Sequence, residues 1–162
     1  MFLLCSAHML FIFVSIAVPI LVYLLLPRVL SVISGKTHQP TKLLLVAGLV
    51  YFISWYLPSP LIDGKDTSFT THVVGGGIFT GFVWAYLVQQ LGWKRDVLQD
   101  ALGLFALTSA LGAANELFEL LIVRLGLVRL TLTDTSWDIL ANTLGALVFF
   151  GVYSVIRRRS GK

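Results

Sequence analysis

Apolar positions in this chain come in long runs separated by short polar connections. Five runs stand out: Phe2 to Leu26, roughly Leu43 to Leu61, Val73 to Leu91, Ala101 to Val123 and Trp137 to Ile156. Each is near the ~20 residues that a helix needs to cross ~30 Å of hydrocarbon. The pattern predicts an all-α, polytopic membrane bundle of five transmembrane helices, forming a single transmembrane domain over residues 1–162. The first run has no basic leading segment and ends at Pro27-Arg28 without a small-residue cleavage site, so it is expected to be a retained span and not a signal peptide. The connection "LPSPLIDGKDTS" carries turn residues and reads as an exposed loop.

Composition agrees with a lipid solvent. Of 162 residues, 57% are apolar and 12% charged, and the mean hydropathy is +0.87. Those values exclude an ordinary soluble domain. The net charge of +4 raises nucleic-acid binding, but the basic residues sit at loop ends, where topology accounts for them. Arg28, Lys36, Lys42, Lys94, Arg95, Arg157, Arg158, Arg159 and Lys162 follow spans one, three and five; Lys65, Arg124 and Arg129 follow spans two and four. The positive-inside rule therefore puts the N-terminus of this multi-pass chain outside and its C-terminus in the cytoplasm. Trp55, Tyr56 and Trp137 then fall at the outer boundary and Trp93 at the inner one. The expected partners are membrane lipids, with a homo-oligomer left open and nucleic acid excluded. Cys5 is the only cysteine, so no internal disulfide can form.

The polar residues inside the runs gather in the outer half. Asp134, Asp138 and Asn142 recur every four residues, forming one stripe that opens the last span beside Gly145 and Ala146. His72 opens span three. Glu116 and Glu119 lie on span four near its outer end, sharing a face with Gly112 and Asn115. A carboxylate within a span costs on the order of 2.5–3.5 kcal/mol at mid-membrane. Two acids that close are expected to share a proton, pair with His72 or an arginine, or bind a cation. Glu116, Glu119, His72 and Asp138 are accordingly the candidate ligands for a divalent cation, an incomplete set by spacing alone. The small residues Gly75, Gly76, Gly77 and Gly81, with Ser109, Gly112 and Ala113, suit close helix packing around these groups, although such residues by themselves say only that helices touch.

"THVVGGG", "ANELFEL" and "DTSWDILANTLGAL", in that order, resemble the VanZ-like superfamily of small polytopic bacterial membrane proteins, with "DTSWD" closest to its YjdF-type inner-membrane members. His72, Glu116, Glu119, Asp138, Asn142 and Gly145 fall on the family's pattern, which covers about Asp66 to Ala146. Position 68 is Ser where family members commonly have an acidic residue, Glu119 stands where many have Gln, and Arg129 is the candidate for the arginine that usually precedes the Asp-Asn element. The resemblance implies a cell-envelope role connected with glycopeptide antibiotic resistance, and no particular reaction.

Two functional classes follow. In one, an outward-facing cavity binds or acts on a cell-envelope lipid, a lipid-linked precursor or a glycopeptide-type compound. His72, Glu116, Glu119 and Asp138 would carry any catalysis, and Asn142, Asp134, Asn115 and Arg129 would bind substrate. The chain has no HExxH, no GxSxG and no Cys-His pairing, so whether it is an enzyme stays open. In the other, it is a non-catalytic transport, binding or structural partner protein, whose buried acids hold helices together.

Overall fold

The computed structural model describes residues 2–62, 64–126 and 132–159; the side chains of 2–11, 65–66 and 132–134 lie outside that description. The chain is helical almost throughout: α1 (Phe2–Ser34), α2 (Lys42–Ser54), α3 (Phe69–Thr71), a π-helical segment (His72–Ile78), α4 (Phe79–Leu91), α5 (Val97–Arg124) and α6 (Leu132–Arg159). A small antiparallel ribbon pairs β1 (Leu61–Ile62) with β2 (Lys65–Asp66), where the sequence pattern predicts only a loop. Gly64, at φ 75°, supplies the left-handed residue that such a tight turn requires.

Among the described residues, four helical stretches are long and apolar enough to cross a membrane: Ile12–Ser34, Phe69–Leu91, Val97–Arg124 and Thr135–Arg159. The second expected span is the exception. Helix α2 has 13 residues and ends at Ser54, not near Leu61. Pro58 and Pro60 follow closely, and proline disfavours helix in the residue before it, so the apolar stretch "WYLPSPL" does not continue the helix. Other ends extend beyond the apolar runs. Helix α5 begins at Val97, ahead of the apolar run at Ala101, because Asp96 and Gln99 close a reciprocal capping box. In it, the Asp96 carboxylate accepts from the Gln99 N–H at 2.8 Å. Helix α6 takes in Asp134, so that residue lies within the helix and does not cap it.

The stretch from α3 to α4 is the centre of the bundle, touched by α2, α5 and α6, while α1 lies at the periphery against α2. Phe79, Val83, Trp84, Tyr86 and Val88 of α4 are buried, and Tyr86 donates to the Gln39 carbonyl at 3.1 Å. Large apolar side chains such as Phe13, Val32 and Leu147 point outward, as a lipid-facing surface demands.

The most intimate contact joins the π-helical segment to α6. A Cβ on Gly77 would lie 2.6 Å from the Ala146 N and from the Gly145 Cα, and one on Gly145 would collide with the Val73 carbonyl. Only glycine lets these two backbones approach so closely. At the opposite end, buried Asp100 ties three elements together. It accepts from Trp84 Nε1 at 3.1 Å, pairs with Arg95 at 3.0 Å and binds Arg157, which also donates to the Arg95 carbonyl at 2.9 Å. The expectation that the polar residues of the spans gather at one end is therefore corrected: the capping box draws Asp100 inside α5 at the other end, where arginines from a loop and from α6 compensate it.

Gly77→Ala should lower stability by about 1–3 kcal/mol through overpacking against backbone that has no rotamer to change. Gly151→Ala, with open space around it inside α6, should not destabilise and should add up to about 1 kcal/mol of helix propensity; thermal unfolding in detergent compares the two. Asp100→Ala leaves Arg95 buried without its counter-ion. In the same assay it should cost about 3–5 kcal/mol.

Candidate functional site

Three helical elements converge at the His72 end of the bundle. The chain enters this region through Ser68, held at φ 52°. That left-handed conformation costs a non-glycine residue on the order of 1 kcal/mol. The Ser68 carbonyl accepts the His72 N–H at 3.1 Å, so the strained residue starts the helix that carries the histidine. From His72 to Ile78 the helix widens to π geometry, a departure often found at functional sites. Gly76 and Gly77 lack the side chains that would otherwise hold α6 away, and Gly75 likewise admits Ser54 of α2.

The glycine contact fixes what meets above it. His72 Nε2 lies 3.2 Å from Asp138 Oδ1, and both side chains are largely buried. Asn142, one turn below Asp138, is buried beside the His72 ring. Its amide occupies the space a Cβ on Gly76 would need, and its Nδ2 would lie 3.5 Å from a Cβ on Gly112 of α5. Asn142 is thus sandwiched between the π-helical segment and α5, and its Oδ1 is buried without a well-formed hydrogen bond among the described residues. Glu119 completes the group from α5. One ligand atom each from His72, Glu119 and Asp138 lies within 4.8 Å of the other two.

Four of the residues expected from sequence, His72, Glu119, Asp138 and Asn142, therefore stand together although they come from three separate helices. Asn115 is attached to them indirectly: it is exposed, and its Nδ2 donates to Glu119 Oε1 at 2.7 Å, orienting that carboxylate. Its exposure differs from the bundle-facing position expected for it, because the face that turns to α6 runs through Gly112 and Glu119. Glu116 does not join the three clustered donors. It is half-buried, with Oε1 buried and without a hydrogen-bond partner among the described residues. Arg129 lies outside the described residues, as does the side chain of Asp134. Sequence reasoning did not find Ser68, whose positive φ leaves no mark in residue type. Nor did it find the Ser54 carbonyl, which accepts from Thr71 Oγ1 at 3.2 Å and anchors the start of the span to α2.

An imidazole and two carboxylates in a partly dry setting can bind a cationic or hydrogen-bond-donating group, can relay a proton through His72, or can hold a divalent cation. The imidazole nitrogen and two carboxylate oxygens suit Zn2+, Mn2+ or Fe2+ by ligand type. Membrane burial strengthens each interaction, because the competing hydration is weak.

If the His72–Asp138 contact is a working charge-assisted hydrogen bond, a double-mutant cycle of His72→Gln and Asp138→Asn should return a coupling energy of about 1.5–3 kcal/mol. Additive effects would show that the two side chains are merely adjacent. No family model, curated protein or solved structure matches this chain, so the site is defined by its geometry.

Proposed function

We propose that this chain is a VanZ-like integral protein of the bacterial cytoplasmic membrane, whose His72/Glu119/Asp138/Asn142 site faces the outer leaflet. There it binds or acts on the polar head group of a cell-envelope lipid, a lipid-linked precursor or a glycopeptide-type compound. The observation that carries the reading is the convergence of His72, Glu119 and Asp138 from three helices, with ligand atoms within 4.8 Å of one another. Acids are costly in a span, and a bundle held together by packing alone has no use for such a group at one end.

The five-span topology, with the N-terminus outside, counts α2 as a crossing. It is supported by contacts that alternate between the two ends: His38 with Gln90, Thr71 with Ser54, and Arg157 with Arg95. It is also supported by the nine basic residues that follow spans one, three and five, against three elsewhere. Cysteines introduced singly at Lys36, Gly64 and Gly126 in a Cys5→Ser background would test it in whole cells: an impermeant thiol reagent should label the second and third and spare the first.

The same donor set favours a second reading, in which His72, Glu119 and Asp138 hold a divalent cation. Such an ion, when bound, would polarise a phosphoryl or carbonyl oxygen of the head group, and Asn142 would orient it. Purified protein should then bind Zn2+, Mn2+ or envelope lipids, and Glu119→Gln and Asp138→Asn should each weaken binding at least tenfold without unfolding the bundle. Unchanged binding and unchanged thermal stability in both variants would leave the acids without a ligand role and overturn both readings.

A further inference from the structure

A second polar cluster lies at the opposite end of the bundle, and the head-group site does not account for it. The N-terminus of α5 and the last turns of α6 enclose a recess of about 260 Å³, with Arg95, Asp100, Ser154, Arg157 and Arg158 in its walls. We propose that this recess binds the phosphate of an anionic phospholipid.

Arg95 carries the argument. Its side chain is only 7% exposed, and its guanidinium lies 5.3 Å from the Trp84 ring centroid. The ring attracts the cation and fixes its plane. Nη2 pairs with Asp100, but Nε and Nη1 are buried without a hydrogen-bond partner among the described residues. Buried donors left in that state are costly, and a phosphate, with several strongly accepting oxygens, is the ligand that can satisfy more than one of them. Arg157 is more exposed and is already held by Asp100 and by the Arg95 carbonyl, so the buried unpartnered donors of the recess belong to Arg95.

The surroundings specify the charge and the source of the ligand. Three guanidiniums face two carboxylates, and Asp96 turns its own toward the N–H groups of its helix, so the recess is net positive. Exposed Arg158 is outside the Asp100 network and adds a cation at the rim. The recess also sits where two membrane-length helices end, which is the depth of lipid phosphates. Val97, Leu98 and Val155, on the same turns of α5 and α6, expose apolar side chains that would lie along an acyl chain. Free phosphate would gain nothing from them.

The test uses the full chain in a neutral detergent, titrated with dioctanoyl phosphatidylglycerol, with phosphatidylcholine of the same chain length and with inorganic phosphate, with binding followed by native mass spectrometry. Phosphatidylglycerol should bind at least about tenfold tighter than phosphatidylcholine. Arg158→Gln, which leaves the Asp100 network intact, should weaken it about fivefold with lipid-free thermal stability unchanged. Arg95→Lys, which keeps a cation for Asp100 but removes the unpartnered donors, should weaken it further. Equal retention of the two lipids, or wild-type affinity in both variants, would overturn the proposal. Inorganic phosphate that displaces the lipid at the lipid's own concentration would overturn the lipid and leave a site for the free anion.

Discussion

The backbone contact between Gly77 and Gly145 determines where everything else falls. Two helices that run in the same direction meet there without side chains between them, and this fixes their relative height and rotation. One turn toward the α3 end, that register sets Asn142 against the Gly76 backbone and His72 against Asp138. In the other direction it sets the Phe149 ring against Gly81 and leads to the end where Arg157 meets Asp100. Both polar clusters are consequences of one apolar fit. In lipid, where there is little hydrophobic force between helices, such shape-matching is the main way to hold a register.

The two clusters are built on different electrostatic logic. Around Asp100 the negative charge is met by two arginines and an indole N–H, and its carboxylate oxygens are occupied. That arrangement is a lock, since taking away either sign leaves a buried charge. Around His72 the groups are acids and an imidazole, and Asn142 has a buried carbonyl oxygen without a well-formed hydrogen bond among the described residues. Groups collected in this way suit the capture of something from outside the fold. Structural ion pairs and binding sites can look alike in sequence, and what separates them is how fully each polar atom is used: the Asp100 oxygens are filled, whereas Arg95 Nε and Nη1, like Asn142 Oδ1, lack a well-formed hydrogen bond among the described residues.

Much of this was legible in the residues, for physical reasons that also explain what was not. The long apolar runs fixed the helices, and the four-residue spacing of Asp138 and Asn142 put both on the buried face of α6. The cost of acids in lipid singled out Glu116 and Glu119 alike, and only Glu119 stands with His72 and Asp138. Boundaries were less legible where hydropathy and helix chemistry disagree. The run beginning at Leu43 stays apolar past Ser54, but proline chemistry stops the helix there. Asp100 falls just outside an apolar run, yet the Asp96-x-x-Gln99 capping box, itself visible in the sequence, starts the helix early enough to bury it. The π-helical widening at His72–Ile78 has no periodic signature, and three consecutive glycines permit it without specifying it.

The brevity of α2 bears on the membrane as much as on the protein. Its 13 residues give a length of about 20 Å, roughly 10 Å less than the hydrocarbon thickness. A helix that short beside longer neighbours creates hydrophobic mismatch, and lipids accommodate it by thinning locally, at a fraction of a kcal/mol for each ångström. Its C-terminal residue, Ser54, packs against Gly75 and bonds to Thr71, one turn or less from His72. On the five-span reading proposed above, the bilayer surface would dip on that flank, and water and lipid head groups would come closest to the histidine from the side that α2 leaves low.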